Sequence, residues 1–208
     1  MRFFRAPILG IFAMMLFVIS CKKSDIALPK SEANIDSIAS KYYEGYLKMF
    51  PLEATMQGDN RYNDQLPNAI SQDFISKEIG FYTETKKKLQ TLDYESLSDK
   101  DKTVYDVLDF TLKDKIKKYA YHPELMPFNQ FEGLPLDFPL LGSGDGNQPF
   151  KTTKDYDNFL KRIDAFAVWM NTAEKNFRDG MKQNVKKKKK LVVKMIPQMR
   201  GEEIISEN

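Results

Sequence analysis

From Tyr156 to Met181 an apolar or aromatic side chain returns every three or four residues: Tyr156, Phe159, Leu160, Ile163, Phe166, Met170, Ala173, Phe177 and Met181. That spacing is the repeat of an α-helix, and it persists for about seven turns. Thr153 and Asp155 stand where a helix start needs side chains that accept from free backbone N–H groups. A helix this long must cover its apolar stripe, so the chain is committed to helix-on-helix packing. Shorter copies of the pattern precede it. Ser31 reads as an N-cap ahead of Ile35, Ile38, Tyr42, Tyr46 and Met49. Ser71 reads as the N-cap of a second helix, with Phe74, Ile75, Glu78, Ile79, Tyr82 and Leu89 on or near one side. Ser98 with Asp101 resembles a capping box before Val104, Leu108, Leu112 and Ile116. Val and Thr are sparse and no alternating run is sustained, so no sheet is expected. The expected fold class is all-α.

Two stretches interrupt the helices. In Pro51–Pro67, PLEATMQGDNRYNDQLP, Pro51 stops one helix and suits the first turn of a short second one. Gly58 is placed to end that helix as its C′ residue. Asp59-Asn60 and Asn63-Asp64 supply the turns that follow. Tyr121–Phe150 holds five prolines and four glycines, and no helix is expected to cross it. Yet Leu125, Met126, Phe128, Phe131, Leu134, Leu136, Phe138, Leu140 and Leu141 all need burial. A segment this long and apolar docks on something. The final stretch LVVKMIPQMRGEEIISEN opens another helical pattern without a closing cap, which leads to the expectation of a domain that continues past Asn208.

The first residues read as a targeting signal. Arg2 and Arg5 form a basic start, and Ala6–Ile19 is an apolar run broken only by Pro7 and Gly10. It is shorter than the ~20 residues of a membrane-spanning helix and fits a secretory h-region. Val18-Ile19-Ser20-Cys21 matches a bacterial lipobox, in which a small residue permits cleavage and a thiol carries the lipid. Cys21 is the single cysteine of the chain, so it has no intramolecular disulfide partner. The expected organisation is a lipoprotein signal peptide over 1–20, a tether over 21–30 and a helical part over 31–208. Cys21 is the expected lipidation site, and the expected location is the cell envelope of a Gram-negative bacterium, on the periplasmic side or the outer-membrane surface. Lys22 lacks the aspartate of an inner-membrane retention signal.

The chemistry of the remaining residues excludes more than it supports. His122 is the sole histidine, too few for a zinc site built on two histidines one helical turn apart. Gly142-Ser143-Gly144 lacks the strand of a nucleophile elbow, and GSGDG follows no strand that would make it a phosphate loop. Asp155/Asp157 and Glu202/Glu203 fit helix or loop surfaces. The formal charge is +3 over 208 residues. Two of the basic residues lie in the signal, and five form the single run Lys186–Lys190. Without those seven the acids outnumber the bases. The lysine run has no interleaved aromatics and reads as a solvated charge run, so no nucleic-acid partner is expected.

Two segments resemble a known family. FPLEATMQGDNRYNDQLP (Phe50–Pro67) is similar to the N-terminal signature of the bacterial "domain of unknown function 885" family, whose members are often lipoproteins. YDNFLKRIDAFAVWMNTAEKNFRDGMKQ (Tyr156–Gln183) resembles that family's arginine-containing helix, and LVVKMIPQM fits the segment after it. The family resembles helical zinc peptidases, with a His-Glu-x-x-x-x-His-type metal motif in the C-terminal half. The resemblance implies that this chain corresponds to the N-terminal part. No catalytic residue carries over, and no cofactor is expected within the chain, zinc being implied for full-length relatives alone. It further implies that segment 121–150, with Arg61 and Tyr62, contributes to a peptide-sized substrate groove. The partners expected are then the membrane through Cys21, a peptide substrate, and a C-terminal half outside this chain. The other reading is a self-standing helical lipoprotein that binds a partner through 121–150. Labelled palmitate is expected to enter the protein and to be lost in Cys21→Ala; equal labelling of both would contradict lipidation at Cys21.

Overall fold

The computed structural model describes residues 34–205. The signal, the tether with Cys21, and Ser31 lie outside the described residues. Among these residues the chain forms seven α-helices and no strand: α1 Ile35–Met49, α2 Pro51–Met56, α3 Gln72–Leu89, α4 Asp99–Lys117, α5 Leu134–Gly142, α6 Thr153–Lys182 and α7 Lys189–Ile205. The all-α expectation holds.

The helix starts follow local chemistry. Asn34 caps α1, its Oδ1 accepting from Ser37 N at 2.7 Å. Ser71 Oγ accepts from Phe74 N at 3.2 Å and opens α3. Ser98 Oγ accepts from Asp101 N at 3.2 Å at the start of α4. Thr152 and Asp155 form a reciprocal capping box ahead of α6, one residue earlier than the spacing places it. Each such bond satisfies one of the N–H groups that a helix start leaves free. After α2, Gly58 takes the left-handed conformation (φ +81°) that ends the helix, as its position predicts.

Two apolar clusters carry the packing. Ile35 and Ile38 of α1, Tyr82 and Leu89 of α3, and Leu108 and Leu112 of α4 form the first. Phe128, Trp169 and Ala173 of α6, and Met195 of α7 form the second, with Phe166 and Phe177 against it. Full burial of one leucine such as Leu112 contributes about 1.5–3 kcal/mol.

Segment 121–150 departs from expectation, because a helix does cross part of it. Pro135 sits in the first turn of α5, where its missing N–H costs nothing, while Pro139 lies inside the helix and removes the bond to the carbonyl of Pro135. Gly133 precedes α5 at φ +129°, where an added Cβ would lie 2.3 Å from that of Phe128. The apolar load of α5 goes into an aromatic stack. Phe138 lies against Phe166 with ring centroids 4.5 Å apart and against Phe159 at 5.4 Å.

The inward face of α6 also differs from the predicted stripe. Its buried residues are Arg162, Trp169, Ala173, Asn176 and Gly180. At 3.6 residues per turn this face is rotated about a quarter turn from the stripe. Tyr156, Leu160, Ile163 and Met181 are consequently exposed. Polar side chains on the inside pull the helix round. Asn176 Nδ2 donates to the carbonyl of Ile70 at 2.9 Å. Arg162 is fully buried, and its hydrogen-bond partners among the described residues are neutral oxygens. Its Nε donates to Gln65 O at 3.1 Å, and its Nη1 donates to Gln148 Oε1. Its Nη2 reaches Thr55 Oγ1 at 2.8 Å, Tyr62 O at 3.2 Å and Pro51 O at 3.3 Å. One guanidinium thus ties α6 to the whole corner Pro51–Gln65 and to the end of segment 121–150. Burial pulls its pKa down to about 10, with the charge of Asp64 opposing, so it stays charged at neutral pH. Arg162→Met leaves several buried oxygens without donors and is expected to lower stability by about 2–4 kcal/mol in urea unfolding. An unchanged urea midpoint would contradict the clamp.

Candidate functional site

The corner and segment 121–150 leave a row of cavities between them. The first, about 400 Å³, lies between Ile70, Ile75, Tyr119, Glu124, Phe128 and Glu132. The second, about 250 Å³, shares Ala69 and Ile70 with it and extends to Leu52, Glu53 and Leu134. The third, about 530 Å³, shares those last three residues and continues to Asp137 and Asn147. Shared wall residues set the three side by side in a row, a groove lined mostly by apolar side chains with Glu53, Asp137 and Glu132 among them. Asn147 Nδ2 donates to Met56 O at 3.2 Å and closes the far end against α2.

Behind the first cavity stands a buried carboxylate. Glu78 of α3 is only 1% exposed. It accepts from Lys118 Nζ at 2.9 Å and from the hydroxyl of Tyr119. The pair is compensated, as a buried charge requires. Tyr82, beside it, makes no well-formed hydrogen bond through its buried hydroxyl. Burial raises the pKa of Tyr82 well above that of an ordinary phenol, and the charge of Glu78 adds to it. Burial likewise raises Tyr119, with its bond to Glu78 second. Tyr46 is pushed up to about 12, by burial first and then by Glu53.

Arg61 and Tyr62 sit on the outer side of the corner. Arg61 is half exposed and pairs with Asp59 at 2.6 Å and Glu44 at 2.8 Å. Its hydrogen bonds hold the Asp59 carboxyl below the usual range. Its guanidinium lies 5.3 Å from the centre of the Tyr62 ring. Neither residue lines the groove of three cavities. Tyr62 contributes through its carbonyl, which accepts from Arg162. The arginine that organises the corner is therefore Arg162, which the apolar stripe of α6 passed over. Its signal was present: Arg162, Trp169 and Asn176 recur at seven-residue spacing, on the face of the single tryptophan.

The five lysines Lys186–Lys190 run from the turn after α6 into the start of α7. All are exposed except Lys187, which lies 6.0 Å from the centre of the Phe177 ring. Residues 51–205 match the model of a family described as "Bacterial protein of unknown function (DUF885)". The chain belongs to that family. The match spans the corner, the groove and the Arg162 helix, so these are features of a DUF885 chain. No curated protein and no solved structure matched.

The tyrosines around Glu78 give a pH signature. In the folded chain they keep their protons above pH 10, where the unfolded chain has begun to lose them. Their contribution is full below about pH 10 and declines above it, that of Tyr46 being lost as pH rises through about 12, so the urea midpoint is expected to fall from pH 10 to 12. The fall is expected to be shallower in Tyr82→Phe. A midpoint that stays level from pH 9 to 12 would contradict this.

Proposed function

We propose that this chain forms one wall of the substrate groove of a lipid-anchored, extracytoplasmic protein of the zinc-peptidase type, and is catalytically silent by itself. The observation that carries the reading is the row of three adjacent cavities between residues 50–75 and 118–147. An apolar floor with polar groups along the walls suits an extended peptide, whose side chains seek pockets and whose backbone seeks hydrogen bonds. Exposed apolar side chains support the same reading. Val107 and Phe110 of α4 and Leu160 and Ile163 of α6 stand in solvent, as faces that further helices would cover.

The reaction class comes from the resemblance to helical zinc peptidases, and the residues present do not fit the metal. The chain has one histidine, and among the described residues no group of three or more His, Cys, Asp or Glu side chains is placed to hold an ion. The residues of this wall bind and orient; metal ligands would come from outside the chain. A lipid on Cys21 would hold the assembly at the cell envelope. The packed cluster of α1, α3 and α4 favours a second reading, a self-standing helical lipoprotein that binds a partner through 121–150.

The purified chain is expected to bind unstructured peptides and to leave them uncleaved with added zinc. Leu134→Asp, in the wall common to two cavities, is expected to weaken binding about tenfold or more. Hydrolysis that a chelator abolishes would contradict the silent-wall reading, and peptide binding insensitive to Leu134→Asp would contradict the groove.

A further inference from the structure

Glu124 lines the first cavity and is 8% exposed. Its Oε1 lies 3.2 Å from His122 Nδ1, while its Oε2 is buried and has no hydrogen-bond partner among the described residues. A buried carboxylate oxygen without a donor is costly, and native proteins rarely leave one. Glu132 stands in the same wall and accepts from Asn129 Nδ2 at 2.9 Å. The neighbouring cations do not cancel these two acids. Lys118 also lines the cavity, but its Nζ is held by Glu78. Lys187 acts on Glu132 through space without forming an ion pair with it. His122 is occupied with the other oxygen of Glu124. The cavity therefore carries uncompensated negative charge beside apolar Ile70, Ile75, Met126 and Phe128.

From this geometry we infer that the first cavity takes a primary ammonium group attached to an apolar body, held by Glu124 and Glu132. An ammonium brings three donors, enough to serve both carboxylates. The inference rests on the groove being a peptide site and names its specificity. Ala69 and Ile70 continue into the second cavity, so a chain anchored here by its amino terminus would run on along the groove. A lysine side chain offers the same chemistry.

Titration calorimetry on the full chain decides it with three probes: Leu-Leu-Ala amide with a free amino terminus, its N-acetylated form, and an N-acetylated form ending in lysine amide. The free-amine peptide is expected to bind about tenfold tighter than the acetylated one, with the preference shrinking in higher salt. Glu124→Gln and Glu132→Gln are each expected to reduce the preference to about twofold or less. Glu132→Gln alters an exposed group and keeps the test valid should Glu124→Gln fail to fold. If the acetylated lysine peptide regains the tight binding, the side chain is the source of the ammonium and the site stands. Equal binding of the free and acetylated peptides, or a preference that survives both substitutions, overturns the ammonium site while leaving the groove. Failure of all three peptides to bind overturns both.

Discussion

Arg162 directs its N–H groups to oxygens from the α2 turn, the chain after it and the end of segment 121–150, with no carboxylate among its hydrogen-bond partners. A cation removed from water in this way is tolerated because it is richly hydrogen-bonded. Each of the five contacts depends on the backbone path of a different residue, so the arginine specifies the shape of the corner as well as holding it. The groove inherits that shape, because the second cavity is walled by Pro51, Leu52, Leu66 and Pro67, the residues on either side of the clamped carbonyls.

The proline-rich segment answers to the same helix from the other side. Phe138 stacks on Phe159 and Phe166, and Phe128 meets Trp169 and Phe177. Thus α6 holds the corner by hydrogen bonds and the segment by rings. The space between them stays open because one wall is fixed by directional bonds and the other by aromatic bulk. Acids near that space have different fates. Glu78 is neutralised by Lys118 and Tyr119, whereas Glu124 keeps one oxygen without a donor. That contrast gives the first cavity its sign.

The existence of α1, α3 and α4 was legible in the sequence, and most of their buried residues, Ile38, Tyr82 and Leu112 among them, fall on the apolar repeat; Leu47 and Thr85 are buried off it. The corner was legible too: Pro51 and Gly58 act as their backbone preferences dictate. Two features were not. The face of α6 turned because hydrogen bonds from Arg162 and Asn176 outweigh exposure of Leu160 and Ile163, and periodicity weighs only apolar residues. Helix α5 formed in spite of Pro139 in its interior, because the aromatic stack on Phe138 compensates for the backbone bond that this proline removes. Arg61, prominent among carboxylates in the sequence, serves exposed ion pairs of the kind that contribute little. The groove needed the fold, since its walls come from residues more than sixty positions apart. Its acids are unremarkable until Glu124 is seen to be buried.

Amide hydrogen exchange across residues 50–67 and 146–150, in the native chain and in Arg162→Met, tests the clamp most directly. Both segments are expected to lose protection together, while amides of α3 and α4 around Tyr82 and Leu112 keep theirs. Unchanged protection of the corner, or loss spread evenly over the whole chain, would contradict it.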